Sequence, residues 1–351
     1  MGSAMNEVPA HFLAQARACD GLGSPFTARL CRILARQLDE STHTGKAVLS
    51  WRGDMRADAV SLRLCGALHA LVLMGADAEL AACYPPNEAD DDTIAMAVAD
   101  AIRRFDDRLV AGLANAPQTN EIARSAMLLP GLMAIARKSG LPLDLCEIGA
   151  SAGLNLLFDQ FHYRYDDMEW GNAASPVRLT PEVRGMAPPL GGALAVRSRV
   201  GCDIAAIDVN DPEARLRLRS YVWADQAARL ARLDAALAIA AAFRPRLVKA
   251  DAVNFLAEAL AARPGDGGFV LTHSIMWQYL PDATKAAIEA QMERAGATAT
   301  HAAPVFWLRM EPLSISDPFA TLSLTLWPGG ETDHLARCDY HGRWIEWLGQ
   351  P

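Results

Sequence analysis

The stretch that decides the fold is Leu143-Asp144-Leu145-Cys146-Glu147-Ile148-Gly149-Ala150-Ser151-Ala152-Gly153. Its first half is a short, mainly apolar run after Gly140 and Pro142, and this pattern predicts a buried β-strand. Its second half is built of small residues around two glycines, which allow a ligand to approach the backbone closely. We expect a helix from about Ser151 to Phe161, with its free N–H groups pointing back over the turn. The stretch therefore predicts a strand, a ligand-binding loop and a helix.

The acidic residue of this stretch indicates which ligand the loop binds. A dinucleotide site reads G-x-G-x-x-G and holds a diphosphate at the helix N-terminus, whereas this stretch reads Glu147-x-Gly149-x-x-x-Gly153. A negative charge at Glu147 repels a diphosphate and favours an ammonium or hydroxyl-bearing ligand. E-x-G-x-x-x-G is the loop pattern of class I S-adenosylmethionine-dependent methyltransferases, and an ordinary strand-to-helix turn is the alternative. The predicted cofactor contacts in this segment are Glu147, Gly149, Ala150, Ser151, Gly153 and Asn155.

Composition and charge set the class of protein. The chain has 351 residues, of which 51% are apolar and 21% charged, enough for two domains or one decorated domain. A formal charge of −8 argues against a nucleic-acid binder, which usually carries a basic field. The nine-residue apolar run Ala235–Phe243 is too short to cross a bilayer. Seven cysteines without a C-x-x-C pair, and no signal-peptide pattern, predict reduced thiols in a cytoplasmic protein.

The first third of the chain carries helical patterns and little chemistry. Apolar residues recur at helical spacing in Phe26–Leu38 and again in Thr93–Leu113, which predicts core-facing stripes. Acidic residues at 88–92 are typical of a solvated helix start, so we predict no metal site there. We therefore assign residues 1–116 to a helical N-terminal domain.

A helix from Gln118 to about Lys138 is predicted to run directly into the Leu143 strand. Thr119 or Asn120 is its expected N-cap. If the helix packs antiparallel to the strand, its N-terminus lies beside the glycine loop, because ligands of open α/β sheets bind outside the carboxyl ends of the strands. Asn120 and Arg124 are therefore candidate substrate contacts, with a capping turn as the alternative.

Acidic residues also end the next two predicted strands. Val196–Val200 leads into Asp203, where a carboxylate can accept hydrogen bonds from ribose hydroxyls. Leu247–Ala250 leads into Asp251 and Ala252, which suit the amine and ring of an adenine. Residues 161–195 and 210–242 are predicted insertions, and the second supplies Tyr221, Trp223 and Asp225 as candidate substrate contacts or ordinary helix packing.

A fourth strand, Phe269–Thr272, leads into His273, and Trp277 and Gln278 follow shortly after. A fifth strand at Val305–Arg309 ends near Glu311, and a terminal hairpin spans 321–339. Residues 117–351 therefore predict an α/β domain with a Rossmann-like methyltransferase sheet, in which parallel strands are followed by a C-terminal antiparallel hairpin.

Several long segments resemble one family of proteins. They read, in order, PQTNEIARSAMLLPG, EIGASAGLNLLFDQF, GCDIAAID, RLRLRSYVWADQ, HSIMWQYLP, WLRMEP and LTLWPGG. Together they are similar to an uncharacterised bacterial domain-of-unknown-function family assigned to the methyltransferase-like fold. The resemblance implies cofactor contacts at Glu147, Gly149, Ser151, Gly153, Asp203 and Asp251. It also implies that His273, Trp277 and Gln278 lie near the reacting methyl group.

Three functions are compatible with these patterns. The first is an S-adenosylmethionine-dependent methyltransferase that acts on a small molecule or a protein, with His273 as a possible base. The second is an S-adenosylmethionine-binding sensor or scaffold without catalysis. The third is a serine hydrolase, because Gly149-Ala150-Ser151-Ala152-Gly153 also satisfies the G-x-S-x-G nucleophile pattern. The acids Glu147, Asp203 and Asp251 have no purpose in a hydrolase, so we favour the methyltransferase. The sequence does not indicate the oligomeric state.

Overall fold

A computed structural model describes residues 7–118, 120–314 and 316–349. Contacts divide the chain into a helical unit, formed by the residues before Asn120 together with Asn210–Ala231, and a sheet unit, formed by Asn120–Val209 and the residues from Arg232 onward. The helical segment that the sequence places as an insertion at 210–242 thus packs, over 210–231, with the N-terminal helices.

The helices, numbered along the chain, are α1 Glu7–Gly21, α2 Pro25–Gln37, α3 His43–Leu49, α4 Val60–Leu73, α5 Ala78–Cys83, α6 Asp91–Arg104, α7 Asp106–Leu113, α8 Ser125–Ser139, α9 Pro212–Ser220, α10 Ala227–Phe243, α11 Ala252–Ala261 and α12 Asp282–Ala297. Short 3-10 helices span Ile122–Arg124, Leu154–Gln160 and Trp277–Tyr279. The strands are β1 Leu143–Ile148, β2 His162–Tyr165, β3 Met168–Gly171, β4 Arg178–Leu179, β5 Glu182–Arg184, β6 Val196–Asp203, β7 Arg246–Lys249, β8 Gly268–Ser274, β9 Val305–Glu311, β10 Ala320–Trp327, β11 Glu331–Cys338 and β12 Trp344–Trp347.

The helical unit has one apolar core, built from the stripes that the sequence predicts. Residues at helical spacing on α2 and α6, such as Leu30, Leu34, Ile94 and Val98, are buried together. The helical pattern over Thr93–Leu113 is divided between two helices, because the chain breaks at Phe105 between α6 and α7. The side chain of Asp106 accepts hydrogen bonds from the first N–H groups of α3. The break therefore places a capping carboxylate at another helix's N-terminus.

The sheet unit is built on a nine-stranded sheet in the order β5-β12-β11-β10-β9-β8-β1-β6-β7. Five neighbouring strands, β7, β6, β1, β8 and β9, run parallel. The strands β10, β11 and β12 then continue the sheet in antiparallel fashion. The predicted mixed α/β architecture, with a mostly parallel sheet and a C-terminal antiparallel hairpin, is confirmed.

The order of the parallel strands fixes where a ligand can bind. Counted along the chain, the five strands lie in the order third, second, first, fourth, fifth. The chain moves outward from β1 on one side and returns on the other, so the switch point lies between β1 and β8. In open α/β sheets, ligands bind outside the carboxyl ends of the strands at this point. All six residues of β1 are buried, as expected for a strand covered on both faces.

Helices cover both faces of the sheet. On one face Phe255 of α11 and Ile288 and Met292 of α12 form a core with Phe269 and Leu271 of β8. On the other face α8 packs against β9 and β10. The predicted insertion at 161–195 forms a small sheet in the order β3-β2-β4 and also supplies β5 to the edge of the main sheet.

Candidate functional site

The loop after β1 is held in an unusual backbone conformation. Three of its residues have left-handed φ angles, namely Gly149 at 66°, Ser151 at 54° and Gly153 at 69°. Glycine adopts such angles freely, whereas serine does so at a cost. Strain of this kind is concentrated at ligand-binding and catalytic sites. The loop therefore has the conformation of a functional turn.

Both glycines are also needed for close packing. A Cβ atom at Gly149 would lie 2.9 Å from Met276 Cγ, and one at Gly153 would lie 2.8 Å from Leu247 Cδ2. The flexible side chain of Met276 therefore covers the start of the loop.

The helix expected from about Ser151 is wrong in type and start. The structure has a 3-10 helix at Leu154–Gln160, with Gly153 as its N-cap residue. The Leu154 N–H donates to Asn120 Oδ1 at 3.1 Å, and Asn155 Oδ1 accepts a hydrogen bond from Ser125 at 2.8 Å. The side chains of Asn120 and Asn155 therefore hold the loop in place. The α-helix predicted from Gln118 begins at Ser125 instead, so Asn120 is not its N-cap, and Thr119, the other expected N-cap, lies outside the described residues.

Glu147 ends β1 with a buried carboxyl group. The residue is 3% exposed, and its Oε2 atom has no hydrogen-bond partner among the described residues. Burial, reinforced by the negative charge of Asp203, raises the pKa of Glu147 to about 8, and the positive charge of Arg124 opposes this rise. An enclosed carboxyl oxygen without a donor is unfavourable, and such groups mark functional sites.

Asp203 joins the loop to the end of β6. Its Oδ2 accepts from the Ser151 N–H at 2.9 Å, and its Oδ1 accepts from the Ala205 N–H. The Ser151 hydroxyl is enclosed and has no hydrogen-bond partner in the described part of the chain. Glu147 Oε2 at the end of β1 and Ser151 Oγ in the loop that follows are thus two buried polar atoms without hydrogen-bond partners among the described residues.

Asp251 serves as a helix cap. It accepts hydrogen bonds from the N–H groups of Val253 and Asn254 at the start of α11, an N-cap interaction that stabilises a helix by about 1 kcal/mol. These bonds lower the pKa of Asp251, the contact with Asn254 contributing most. Ala252 is buried in the core beneath α11. The structure places Asp251 at the expected strand end and gives it a structural partner there.

Arg124 ties two chain segments together above the sheet. Its Nη1 donates to the Ser274 carbonyl at 3.3 Å, and its Nε donates to the Tyr340 carbonyl at 3.0 Å. Its charge also acts on Glu147. Arg124 therefore lies at the carboxyl ends of the strands, the region that the sequence predicts for it.

His273 is fully buried and engaged at both ring nitrogens. Trp307 Nε1 donates to His273 Nε2 at 3.0 Å, and His273 Nδ1 is 2.8 Å from Glu311 Oε1. An indole nitrogen can only donate, so Nε2 accepts and the ring hydrogen is on Nδ1. The ring also stacks on Trp277, with centroids 5.0 Å apart. Both ring nitrogens of His273 therefore have partners among the described residues, and the Nδ1 hydrogen is directed at Glu311.

The polar side chain of Gln278 is exposed, in the short helix Trp277–Tyr279. Just before it, Ile275 adopts a left-handed φ of 51°, which is rare for a β-branched residue. The Met276 N–H donates to Glu311 Oε1 at 3.1 Å. The segment that follows β8 is thus strained and anchored on Glu311.

The remaining candidate substrate residues lie in the helical unit. The Tyr221 hydroxyl donates to the Asn115 carbonyl at 2.8 Å, and Trp223 packs against the helical core. Asp225 accepts hydrogen bonds from Ser24 and from the N–H of Phe26 at the start of α2. The structure therefore gives each of these three residues a partner within the helical unit.

Sequence reasoning singled out His273 and did not include Glu311, Trp307 or Met276 among the site residues. Glu311 had a signal, because it is an acid at the end of the fifth strand, the position that drew attention to Glu147, Asp203 and Asp251. No signal in the sequence pointed to Trp307 or Met276, since their roles depend on pairing across strands.

Within the described residues, no three His, Cys, Asp or Glu side chains are grouped closely enough to hold a metal ion. None of the helices described is both long and apolar enough to cross a membrane.

A family model described as an uncharacterized protein conserved in bacteria (DUF2332) matches residues 9–347. No curated protein and no solved structure matches the chain.

Proposed function

The chain belongs to this bacterial family, and we propose that its sheet unit binds S-adenosylmethionine and transfers the methyl group to a small molecule or a protein. The observation that carries the proposal is the pair of enclosed, unpartnered atoms Glu147 Oε2 and Ser151 Oγ beside a left-handed loop. They provide an acceptor for an ammonium group and a hydroxyl that can donate or accept.

The strand order supports the proposal. The five parallel strands follow the order of a doubly wound nucleotide-binding sheet, and Glu147 ends the first strand at the switch point. This arrangement, with Glu147-x-Gly149-x-x-x-Gly153 on the first loop, is what a Rossmann-like methyltransferase sheet requires. Bound at this point, S-adenosylmethionine would supply an electrophilic methyl group.

Three acids would then hold the cofactor. In this proposal Glu147 accepts from the amino group, Asp203 from the ribose hydroxyls and Asp251 from the adenine amine. Asp203 already accepts two backbone hydrogen bonds, but a carboxylate has about four lone-pair sites, so capacity remains for a diol. The protein would mainly align the methyl group with its acceptor and exclude water.

All seven cysteines are free and buried, which fits a reducing, cytoplasmic setting.

The pKa of Glu147 gives the proposal a pH dependence. Because this pKa is about 8, the free protein must release a proton before the carboxylate can hold an ammonium group. Affinity for S-adenosylmethionine should therefore increase by up to about tenfold per pH unit between pH 6 and 8 and level off above that range. Glu147→Gln should bind at least tenfold more weakly and without this pH dependence.

The test is calorimetry with S-adenosylmethionine and S-adenosylhomocysteine. Wild type and Glu182→Gln, which alters an exposed glutamate on β5, should bind both ligands with the same affinity. Glu147→Gln should bind them at least tenfold more weakly. Absence of heat with both ligands at sub-millimolar concentration would overturn cofactor binding, and with it both the methyltransferase and the sensor.

Catalysis is then tested separately from binding. Labelled methyl groups should move from S-adenosylmethionine into an acceptor present in a metabolite or protein extract, and this transfer should be lost in Glu147→Gln. Tight binding without any transfer would instead identify a non-catalytic sensor or scaffold.

One observation favours the serine hydrolase as a second candidate. Ser151 combines the G-x-S-x-G pattern with a left-handed φ of 54°, as in a strained nucleophile elbow. Against it, Ser151 Oγ has no histidine partner in the described residues, whereas a serine nucleophile needs an adjacent base. Labelling of Ser151 by a fluorophosphonate probe, absent in Ser151→Ala, would establish the hydrolase.

A further inference from the structure

A second buried carboxyl group, that of Glu311, stands at the end of β9. The Glu311 side chain is 7% exposed. Its Oε1 atom interacts with two donors, His273 Nδ1 at 2.8 Å and the Met276 N–H at 3.1 Å. Its Oε2 atom is enclosed and has no hydrogen-bond partner in the part of the chain that the structure describes. One oxygen is therefore firmly held, and the other lacks a donor.

The neighbours of Glu311 fix its orientation. Trp307 donates to His273 Nε2, which places the ring hydrogen on Nδ1 and directs it at Glu311 Oε1. The Trp277 ring stacks on the same imidazole. A carboxyl group oriented in this way by a buried network is typical of a binding site, because the network holds the acceptor atom before the ligand arrives.

Glu311 lies close to the cofactor loop but on the other side of the sheet. Met276 connects the two, since its N–H is bound to Glu311 and its side chain lies against Gly149. Glu147 pairs with Thr272, and Thr272 pairs with Leu308. Side chains alternate along a strand, so Glu311, three residues after Leu308, points to the face opposite Glu147. Two strand spacings, roughly 10 Å, separate β1 from β9.

Acidic side chains outnumber basic ones at these strand ends, and their charge is predominantly negative once Glu147 ionises near pH 8. Glu147, Asp203 and Glu311 end β1, β6 and β9, and Arg124 lies among them. Such a concentration of acids attracts cations and disfavours anions. A ligand that satisfies Glu311 Oε2 must also bring an N–H or O–H donor.

We propose that Glu311 Oε2 is the docking atom for the amino group of a second ligand, an alkylammonium compound or lysine side chain that binds on the face opposite Glu147. The inference rests on the proposed function in one respect: if S-adenosylmethionine binds at Glu147, this second ligand is the methyl acceptor. Its ammonium group then gives one proton to Glu311 Oε2, the nitrogen lone pair forms the N–CH3 bond as the S–CH3 bond breaks, and S-adenosylhomocysteine leaves. His273 and Trp307 are then positioning residues.

The experiment titrates three probes into the full chain labelled with 5-fluorotryptophan. The probes are isobutylammonium, which has charge and donors; isobutanol, which has a donor without charge; and isobutyltrimethylammonium, which has charge without donors. Fluorine shifts of Trp277 and Trp307, assigned with Trp277→Phe and Trp307→Phe, report binding near Glu311. Isobutylammonium should bind at least tenfold more tightly than the other two.

Variants separate this subsite from the cofactor site. Glu311→Gln retains an oxygen for His273 and Met276 and should lose at least tenfold in isobutylammonium affinity while binding S-adenosylhomocysteine like wild type. Glu147→Gln should show the reverse. Glu311→Asp, which keeps the charge but shortens the side chain, should recover part of the affinity, and thermal melts verify that each variant is folded.

Isobutylammonium binding without S-adenosylhomocysteine binding would overturn the proposed function alone. Equal affinities for the three probes, or an unchanged affinity in Glu311→Gln, would overturn the Glu311 subsite.

Discussion

At the scale of single residues, the site is defined by groups that are unfavourable in the free protein. Glu147 and Glu311 each bury a carboxyl oxygen without a partner, and Ser151 combines an unpartnered hydroxyl with a strained backbone. Each feature lowers the stability of the folded chain by an amount of about 1–3 kcal/mol. Their occurrence at the carboxyl ends of β1 and β9 and in the loop after β1 is therefore best explained by a role in binding.

Replacing Glu147 by glutamine should stabilise the free protein. In the unfolded chain the pKa of Glu147 is near its ordinary value of 4.5, and in the folded chain it is about 8. Between these values the unfolded state binds fewer protons, so wild-type stability falls as the pH rises from about 4.5 to 8. At pH 7 we expect Glu147→Gln to gain on the order of 3 kcal/mol in unfolding free energy.

Urea denaturation at pH 5 and pH 7 measures this effect. The gain should be small at pH 5 and large at pH 7, and Glu182→Gln, at an exposed position, should show no gain at either pH. A gain of equal size at both pH values would contradict the assigned titration.

Replacing Ser151 by glycine should raise stability and weaken binding. Glycine removes the left-handed strain and the unpartnered hydroxyl, and these gains outweigh its greater unfolded-state entropy by about 1 kcal/mol. Ala59→Gly is the matched control, because Ala59 has a similar φ of 52° but lies in the helical unit. Thermal melts should show a gain in both variants, and calorimetry should show weaker S-adenosylmethionine binding in Ser151→Gly only. A loss of stability in Ser151→Gly would mean that the hydroxyl has a structural partner.

At the scale of elements, one residue can both follow the end of a strand and cap the next helix. Asp251 ends the loop after β7 and caps α11, so a mutation there has two consequences that must be separated.

Asp251→Ala should lower the free energy of unfolding by about 1 kcal/mol through loss of the N-cap. Asp251→Ser should retain most of this stability, since serine also caps helices. If Asp251 contacts adenine as proposed, both variants should weaken S-adenosylmethionine binding to a similar extent. Weaker binding in Asp251→Ala alone would assign Asp251 to capping and would remove it from the cofactor site.

The secondary-structure elements show how much of the fold could be predicted from local sequence patterns. Local patterns placed β1, β8, β9 and the terminal hairpin correctly, because buried strands and turn residues are encoded within a few neighbouring positions. They also placed Glu147 at a strand end. Local patterns did not reveal the 3-10 helix at Leu154–Gln160, whose first N–H is taken by Asn120 more than 30 residues away.

The environment of His273 was equally inaccessible to sequence reasoning. A histidine at a strand end beside a glycine loop suggests a base, but its partners Trp307 and Glu311 are 34 and 38 residues away along the chain. Only the pairing of β8 with β9 brings them together.

At the scale of the whole molecule, all seven cysteines are buried and none forms a disulfide bond. Burial raises the pKa of Cys202 to about 12 and also raises the pKa of Cys146 and Cys338. Thiolates are the reactive form, so these side chains should be inert in the folded protein.

A thiol-reactive chromophore should therefore label the native chain slowly and all seven cysteines rapidly in denaturant. S-adenosylmethionine should slow the labelling of Cys146 and Cys202, which lie on β1 and β6, because ligand binding suppresses opening of the folded state. Rapid labelling of the native chain would contradict the burial of these residues.

The edge of the main sheet has a consequence for synthesis of the chain. β5, at residues 182–184, is paired in parallel with β12, at residues 344–347. During translation the segment that forms β5 leaves the ribosome about 160 residues before its partner, which at 5–20 residues per second is a delay of roughly 8–32 s. Throughout this interval the segment that forms β5 has no strand to pair with in the main sheet, because its only neighbour there, among the described residues, is β12.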